Sequence, residues 1–525
     1  MSKWVAVLEK ENTELKTENS SLKHDKFLLE EKVKDLEHRL YGKKSEKIKN
    51  NSPGLFNEIE LEEDKNKKPE EEIKVETETI TYTRAKKRGG RRPLPDHLET
   101  VEVIHDLSEE EKQCACGCKM IKIGEEISEK LKYTPAKFEK EKHIRPKYAC
   151  NRCDGIESEG VHPPVKIADP EPTILPKTIA TIGLFTKIIT NKFCDGLPFY
   201  RQEKIFMRHG IDLTRSMMAR WAVMAYENMK EFYDCLHEEL LKSYYIGIDE
   251  TRVQVLNEPD KPPDSRSYMW VYRGVNENRV ILIYKYDPSR SGSVPDEFLQ
   301  GYKGRIQTDG YGGYDFFDVD KDIIHYNCWS HARRKFIEAI VVGSKGGLAE
   351  DFINLIRKLY EIEKKLKEVN AKPNRIEAVR INKSLPIVMS IFELTEKNRD
   401  DILPGSKLGK AVNYLLNRKD NLKRYINDGH IPIDNNYVEN AIRPFVIGRK
   451  NWLFFDTVGG AEASAGYYSL IETAKANGIE PYSYMNYVFD KAAYCKEKTD
   501  YQKLLPMNID RSLVKPYILP KSRCG

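Results

Sequence analysis

Three acidic residues occupy positions that suit metal-dependent chemistry. Asp249 follows a largely apolar run, residues 244–248, so it is predicted to lie at the end of a buried β-strand. Asp309 is predicted to end a second strand, residues 304–309. Glu439 comes shortly after Asp434 and Asn435, either of which can cap a helix, so it is predicted to lie in the first turns of that helix. Two strand ends and one helix would then bring three carboxylates together.

Three carboxylates side by side repel one another unless a positive charge lies between them. Hard oxygen ligands suit Mg²⁺ or Mn²⁺. Two such ions, about 4 Å apart, would activate an attacking oxygen and stabilise the leaving oxygen of a phosphodiester. The chain has 82 acidic residues, so three unrelated surface carboxylates are the alternative. The strand-final positions and the neighbouring glycine and asparagine residues favour a site.

The intervening sequence predicts the elements that would position these carboxylates. Several β-rich segments, interpreted as an antiparallel meander with a charged loop at residues 258–264, precede a short helix and two more strands. This order of elements matches a ribonuclease-H-like αβ fold. A helical stretch over residues 330–427 precedes Glu439, whose helix is predicted to end at Pro444 and to carry Arg443 on the same face. The predicted strands are residues 244–249, 252–256, 267–273, 279–286, 304–309 and 322–327, and the short helix is residues 295–300.

A cluster of cysteines suits a structural metal. Five of the ten cysteines lie from Cys114 to Cys153, and in a reducing cytosol such clustering indicates a metal site before disulfides. Two thiolate pairs on two turns form a tetrahedral Zn²⁺ site. We expect one Zn²⁺ held by Cys150, Cys153 and Cys116 with either Cys114 or Cys118, and free cysteines are the alternative. The predicted strands of this module are residues 131–133 and 142–149.

Two segments could bind DNA. A basic arm with two glycines could follow phosphates or a minor groove, although a solvated basic tail is the alternative. Further on, a helix ending near Arg208, a glycine turn and a helix from Thr214 to about residue 230 suggest a helix-turn-helix with Arg215 and Arg220 on its second helix. An ordinary helical hairpin fits the same pattern. The basic residues of the arm are Arg84, Lys86, Lys87, Arg88, Arg91 and Arg92.

The N-terminal residues 4–40 carry a leucine heptad. Five leucines occur seven residues apart, with Asn12 and Asn19 among the intervening core positions. Leucine at one core position with polar residues at the other favours a parallel dimeric coiled coil. A single solvated helix is the alternative. We therefore expect a homodimer, or a higher oligomer, through this segment. The leucines are Leu8, Leu15, Leu22, Leu29 and Leu36.

Composition sets the wider limits. With 525 residues, 40% hydrophobic and 32% charged, the chain is too long for one core and is expected to be a multidomain α+β protein. No apolar run approaches the roughly 20 residues of a membrane span, and a signal-peptide core is missing from the start, so we expect a cytoplasmic, nucleoid-associated protein. The expected segments are a coiled coil (1–42), a charged linker with the basic arm (43–100), a zinc module (101–165), a helical DNA-binding region (170–240), two parts of a catalytic core (243–330 and 431–490) around a helical insertion (331–430), and a C-terminal tail (491–525).

Several motifs together resemble the insertion-sequence-66 family of bacterial transposases over nearly the full length. The most specific is the run from Asp434 to Trp452, which contains Glu439-Asn440-Ala441-Ile442-Arg443-Pro444 and Gly448-Arg449-Lys450-Asn451. The other matching motifs are residues 247–251, 307–311 and 328–336. The order of coiled coil, basic arm, cysteine cluster and helix-turn-helix also agrees. The Cys-x-Cys-Gly-Cys half-site departs from the Cys-x-x-Cys common in the family and leaves the first two zinc ligands open.

This resemblance implies a DDE transposase with catalytic Asp249, Asp309 and Glu439, acting on the terminal repeats of its element and on target DNA. It also implies the helical insertion and two small accessory proteins encoded beside the gene. Cys328-x-x-His331 matches a motif found after the second aspartate in several transposases. We interpret it as structural or DNA-positioning rather than a zinc site, since it supplies only two ligands.

Basic residues after the catalytic glutamate, Arg443, Arg449 and Lys450, are expected to contact DNA. Two other functions compete with an active transposase. A catalytically inactive, transposase-derived DNA-binding regulator would keep the DNA-binding modules. A ribonuclease-H-like repair nuclease would explain the three carboxylates but not the heptad, the arm or the insertion.

Overall fold

The computed structural model describes residues 137–149, 165–277, 279–340 and 347–517, together with Leu15, Lys16 and Lys26. Those three residues are helical, and the rest of the predicted coiled coil lies outside the described residues, as do the linker with the basic arm and the five clustered cysteines. The chain divides into two units, one formed by residues 68–170 and the other by residues 1–67 and 171–525.

The smaller unit contains an antiparallel two-stranded hairpin, β1 (Lys147–Ala149) and β2 (Val165–Ile167). The strand predicted over residues 142–149 is therefore mostly wrong, because only its last three residues are extended in a ladder. Pro146 explains the start at residue 147, since proline has no N–H to donate to a neighbouring strand and restricts the residue before it.

The larger unit contains a five-stranded sheet in the order β6-β5-β3-β7-β8. Within this sheet, β3, β5 and β6 form an antiparallel meander. β7 pairs in parallel with the central strand β3, and β8 pairs in parallel with β7. A separate pair of short strands, β4 and β9, is parallel. The strands of this unit are β3 (Tyr245–Val253), β4 (Val255–Asn257), β5 (Ser267–Asn276), β6 (Arg279–Asp287), β7 (Gly304–Thr308), β8 (Ile323–Asn327) and β9 (Phe455–Thr457).

One predicted strand needs correction, and the predicted charged loop is confirmed. The segment 252–256 is not a separate strand of the meander, because β3 continues to Val253 and Val255 leaves to pair with Phe455 of β9. Residues 258–264 form a loop, most of which is exposed. Glu258 is buried and accepts hydrogen bonds from Ser267 and Tyr286, which explains how an acidic residue is tolerated there.

Fifteen α-helices are assigned within the described residues. Thr181 and Thr214 cap the first and third of them with side-chain oxygens, as expected for helix N-termini. They are α1 (Ile182–Phe193), α2 (Phe199–Arg208), α3 (Arg215–Glu227), α4 (Lys230–Leu240), α5 (Ser293–Phe298), α6 (Trp329–Glu338), α7 (Leu348–Glu368), α8 (Pro373–Val379), α9 (Leu385–Asn398), α10 (Lys407–Asn417), α11 (Lys419–Lys423), α12 (Asn436–Trp452), α13 (Val458–Ala476), α14 (Pro481–Ala492) and α15 (Lys498–Leu504).

Two hydrophobic clusters organise this unit. The larger joins α1–α4, the sheet and the C-terminal helices, with α13 lying against β6 through Ser469 and Thr473. The smaller is formed by the predicted helical insertion, where Phe336 of α6 stacks on Phe352 of α7 with 4.4 Å between ring centroids. The insertion thus has a core of its own beside the sheet edge formed by β8.

The helix that carries Glu439 is longer than predicted. Pro444 was expected to end it, but α12 continues to Trp452 with the proline inside. The missing proline N–H would leave the carbonyl of Asn440 without its helical donor, and Asn440 is exposed, so water can satisfy it. The buried side chains of Phe445 and Val446 keep the later turns packed on the core.

The segment predicted as a C-terminal tail also contributes structure. Up to residue 517 it includes α15, and Tyr501, Leu504 and Leu505 are buried in the larger cluster. Its apolar residues pack on α4 and α14, so this stretch is part of the core.

Among the described residues, no helix has both the length and the apolar character required to cross a bilayer.

The predicted helix-turn-helix corresponds to α2 and α3. Gly210, in the connection, has a φ of +72°, a left-handed conformation that glycine adopts without strain. Arg215 and Arg220 lie on α3 and are exposed. The two helices are confirmed, and their binding to DNA stays a prediction.

Candidate active site

Sheet register aligns the two predicted catalytic aspartates. Gly247 of β3 pairs with Gln307 of β7 in a parallel ladder. Asp249 and Asp309 each lie two residues further along, beyond the end of this parallel ladder. The prediction that Asp249 ends its strand is wrong, because β3 continues to Val253 in pairing with β5, whereas Asp309 directly follows β7. Because side chains alternate between faces, both aspartates share the face on which Gly247 and Gln307 lie.

Helix α12 covers that face. A Cβ atom on Gly247 would overlap the Val438 side chain, so the absence of a side chain allows the helix to lie directly on the strand. Asn435 Nδ2 donates to the carbonyl of Ile248 at 3.0 Å, and Gln307 Nε2 donates to the carbonyl of Pro432 at 2.8 Å. These contacts fix the start of α12 over the end of the parallel ladder between β3 and β7.

Glu439 follows Val438 in the first turns of α12 and is only 4% exposed. The helix N-terminus, with its free N–H groups, favours a carboxylate there. The predicted start of the helix is confirmed, but the side chains of Asp434 and Asn435 make hydrogen bonds that the capping prediction did not include. Asn435 occupies the cap position but bonds to β3, whereas Asp434 accepts from the backbone N–H of Asn436 at 3.3 Å.

The two aspartates are held by local backbone groups and have a common neighbour. Asp249 Oδ1 accepts from the N–H of Glu250 at 2.9 Å, and Asp309 Oδ1 accepts from the N–H of Tyr311 at 2.7 Å. Burial, followed by the charges of Glu250, Asp309 and Asp249, raises the pKa of the Tyr314 phenol well above its usual value. Of the three carboxylates, Glu250 accepts a hydrogen bond from this phenol.

Glu250 is a site neighbour that sequence reasoning missed. It is paired with Arg290 at 2.5 Å and accepts a hydrogen bond from Tyr314, while Arg290 stacks over the Tyr311 ring at 3.9 Å. Burial, and then the charge of Asp309, raise the pKa of the Glu250 carboxyl. Its place directly after Asp249 was visible in the sequence, but the distant partner Arg290 was not.

The end of β7 is supported by a buried polar network. Thr308 Oγ1 is 2.8 Å from His325 Nε2, and His325 Nδ1 is 2.7 Å from Asp318 Oδ1. Tyr414 of the insertion donates to the backbone carbonyl of Asp309 at 2.7 Å. The helical insertion therefore contacts the second aspartate directly.

Cys328 and His331 lie beside Glu439. His331 Nδ1 is 3.7 Å from Glu439 Oε1, and ligand atoms of all three residues lie within 4.8 Å of one another. Arg334 Nη2 is 4.0 Å from Glu439 Oε2. The Cys-x-x-His motif itself supplies two ligands, and the fold brings the carboxylate of Glu439 beside them as a potential third.

The basic residues after Glu439 have different surroundings. Arg443 is partly buried one turn beyond it, and Lys450 is exposed. Arg449 donates to Thr251 Oγ1 at 3.1 Å and to the carbonyl of Arg252. Arg449 thus ties α12 to β3, a structural role that its expected contact with DNA did not include.

The donor set fits divalent cations. Asp249, Asp309 and Glu439 offer only carboxylate oxygens, and these are the ligands that Mg²⁺ and Mn²⁺ prefer. Backbone N–H bonds to Asp249 and Asp309 orient their carboxylates where the parallel ladder of β3 and β7 ends. Among the described residues, the one group of three potential ligands within 4.8 Å of one another is Cys328, His331 and Glu439, so the three carboxylates remain a predicted metal site.

Comparison with protein families identifies the family of this chain. The family model for the IS66 family of transposases matches residues 177–463, which include the sheet, the insertion and α12. Three further models match a zinc-finger binding domain of transposase IS66 (111–154), an IS66 C-terminal element (469–507) and a region described as transposase C of IS166 homeodomain (28–103). The chain belongs to the IS66 family of transposases.

Two uncharacterized proteins from Sinorhizobium fredii are similar to most of this chain. The chain is 31% identical to uncharacterized protein y4qI over 430 residues, which cover 80% of this chain and 77% of that protein. It is 29% identical to uncharacterized protein y4jD over 413 residues, covering 76% and 78% respectively. The zinc-finger match spans all five clustered cysteines, and the DNA-binding and transposase matches make DNA the partner.

Proposed function

We propose that this transposase cuts DNA at the ends of its element and joins those ends to target DNA at Asp249, Asp309 and Glu439. The observation that carries the proposal is the parallel register of β3 and β7, with α12 seated over the end of that ladder. The strand order and directions support a ribonuclease-H-like core. Two bound Mg²⁺ or Mn²⁺ ions would activate the attacking oxygen and stabilise the leaving oxygen.

In the cleavage step, a water oxygen attacks phosphorus and the bond from phosphorus to the 3′ oxygen breaks, which leaves a 3′ hydroxyl and a 5′ phosphate. In the joining step, the oxygen of that 3′ hydroxyl attacks a target phosphorus, and the bond from this phosphorus to the target's 3′ oxygen breaks. The element end is then joined to the target's 5′ phosphate, and the target strand is left with a 3′ hydroxyl. Asp249 and Asp309, oriented by backbone N–H groups, and Glu439, held in a helix N-terminus, would hold the ions. Arg443 would position the scissile phosphate, because it lies one turn after Glu439.

The remaining modules would hold the DNA. We infer that the basic arm and α3, with Arg215 and Arg220, provide most of the affinity for the terminal repeats. One Zn²⁺ would stabilise the cysteine module, and the N-terminal heptad would pair two chains. Two small accessory proteins of the element would act with this protein in a cytoplasmic, nucleoid-associated complex.

Cleavage of a terminal-repeat duplex in Mg²⁺ tests the proposal. The full-length protein should bind the duplex and nick it at the element boundary, leaving a 3′ hydroxyl, and it should not do so in EDTA. Specific binding without cleavage in either Mg²⁺ or Mn²⁺ would instead identify an inactive, transposase-derived regulator.

A further inference from the structure

Cys328, His331 and Glu439 form a cluster whose spacing suits one ion. Their ligand atoms lie within 4.8 Å of one another, and His331 Nδ1 is 3.7 Å from Glu439 Oε1. Tetrahedral zinc binds sulfur at about 2.3 Å and nitrogen or oxygen at about 2.1 Å, so its ligand atoms lie roughly 3.4–3.7 Å apart. Small side-chain shifts would therefore complete the coordination.

The backbone holds this cluster together. Cys328 lies at the N-terminus of α6, and its sulfur accepts from the backbone N–H of Asn435 at 3.2 Å. The next residue, Trp329, donates its backbone N–H to the carbonyl of Ile433 at 3.2 Å. The segment leading into α12 is thereby fixed on the start of α6, and this brings Glu439 to His331.

The side chains also point their ligand atoms at one another. Arg334 lies 3.5 Å from Nε2 of His331 and 4.0 Å from Oε2 of Glu439, which are the outer atoms of the two groups. Among the residues that the structure describes, no hydrogen bond is made to the buried Nδ1 of His331. A nitrogen that is buried and not hydrogen-bonded, facing a carboxylate oxygen and a thiol, is available to a cation.

The donor types differ from those of the aspartate site. A thiolate and an imidazole favour Zn²⁺ and similar ions, whereas Mg²⁺ and Mn²⁺ favour oxygen ligands. Three protein ligands leave a fourth position for water, as in open zinc sites. Binding would replace the S–H bond of Cys328 by a sulfur–metal bond and release the proton to solvent.

We propose that Cys328, His331 and Glu439 form a zinc-class site, separate from the cysteine module, that takes Glu439 away from the Mg²⁺ site when it is filled. The binding part stands on the cluster alone. The inhibitory part rests on the proposed function, because it assigns Glu439 to the Mg²⁺ site. Zinc would thus be an inhibitor that competes for a shared ligand.

Cobalt titration of the full-length protein tests the binding. The protein is first loaded with zinc and dialysed to fill the cysteine module, and Co²⁺ is then added while the thiolate–cobalt absorption is recorded. The wild type should gain one Co²⁺ per chain, and Cys328→Ser should lose the thiolate band. Cys235→Ser, which removes another buried thiol, is the matched control and should behave as the wild type.

His331→Gln provides a second route if Cys328→Ser does not fold. It should weaken Co²⁺ binding at least about tenfold, the smallest loss expected when a metal site is disturbed. Equal cobalt spectra and stoichiometry in the wild type and in whichever of these variants folds would overturn the site. So would a wild type that takes no Co²⁺ beyond the preloaded zinc.

Zinc inhibition of Mg²⁺-dependent cleavage tests the second part, with each variant compared to its own rate without zinc. The half-inhibitory zinc concentration should rise at least about tenfold in His331→Gln. Unchanged inhibition in that variant would overturn the competition. Cobalt binding at the cluster in a protein that cleaves no DNA would leave the site standing and refute the proposed function instead.

Discussion

Replacing Gly247 should disturb both stability and chemistry, because this residue is where α12 rests on β3. A Cβ atom at position 247 would overlap the buried Val438 side chain and come within 3.1 Å of Asn435 Oδ1. Overpacking of this kind costs about 1–3 kcal/mol. If α12 is displaced by about 1 Å, the misplacement of Glu439 can slow the reaction roughly 100-fold. Gly247→Ala should therefore unfold at lower urea and cleave DNA much more slowly.

A second substitution shows whether the contact with Val438 is the cause. Val438→Ala removes two buried methyl groups and should cost about 2 kcal/mol by itself. In the double variant the new methyl fills part of the vacated space, so the two costs should not add, and the coupling should be about 1–3 kcal/mol. Gly405→Ala, at a glycine whose Cβ would meet nothing within 4 Å, is the control. Additive losses in urea unfolding, or wild-type cleavage by Gly247→Ala, would refute the proposed seating of α12.

Three other modules give independent predictions. Burial raises the pKa of the Asp434 carboxyl to about 6, above its value near 3.9 in the unfolded chain. Its contribution to the free energy of unfolding is therefore complete below about pH 4 and is lost as the pH rises through 6. When the free energy of unfolding in urea is measured across this pH range, Asp434→Asn should lack this decline. The Cys150→Ser/Cys153→Ser double variant should contain one zinc fewer per chain by metal analysis, and unchanged zinc would exclude that module as the site. Replacing the six basic residues of the arm, residues 84–92, with glutamine should weaken end binding. The slope of log affinity against log salt concentration should fall by about 0.9 for each phosphate that the arm no longer neutralises, and an unchanged slope would contradict this division of roles. Arg443→Gln should instead bind the ends nearly as the wild type does and cleave them slowly.

The sequence was most informative where a local pattern matched a structural period. The start of the strand that carries Asp249 was predicted to within one residue, because residues 244–248 form a largely apolar run, although the strand continues past Asp249 to Val253. The strand before Asp309 was predicted over residues 304–309 and is observed over Gly304–Thr308. The helix of Glu439 was likewise predicted at its start. Such patterns are set by neighbours along the chain, so the sequence contains them.

Long-range contacts were not accessible in this way. The end assigned to α12 at Pro444 was wrong because packing of Phe445 and Val446 outweighs the local effect of proline. Arg290 became a partner of Glu250 only through folding. Cys328-x-x-His331 was recognised as a motif, but its third potential ligand lies 108 residues further along the chain, counting from His331 to Glu439.

Strand cleavage by single-carboxylate variants tests the central claim most directly. Single-turnover cleavage of a terminal-repeat duplex in Mg²⁺ should be measured for the wild type, Asp249→Asn, Asp309→Asn and Glu439→Gln, alongside binding of the same duplex in EDTA. Each substitution keeps the size of the side chain and removes its charge. We predict that all three variants bind the duplex as the wild type does and that none cleaves it. Cleavage at the wild-type rate by any one of them would contradict the assignment of that residue to the active site.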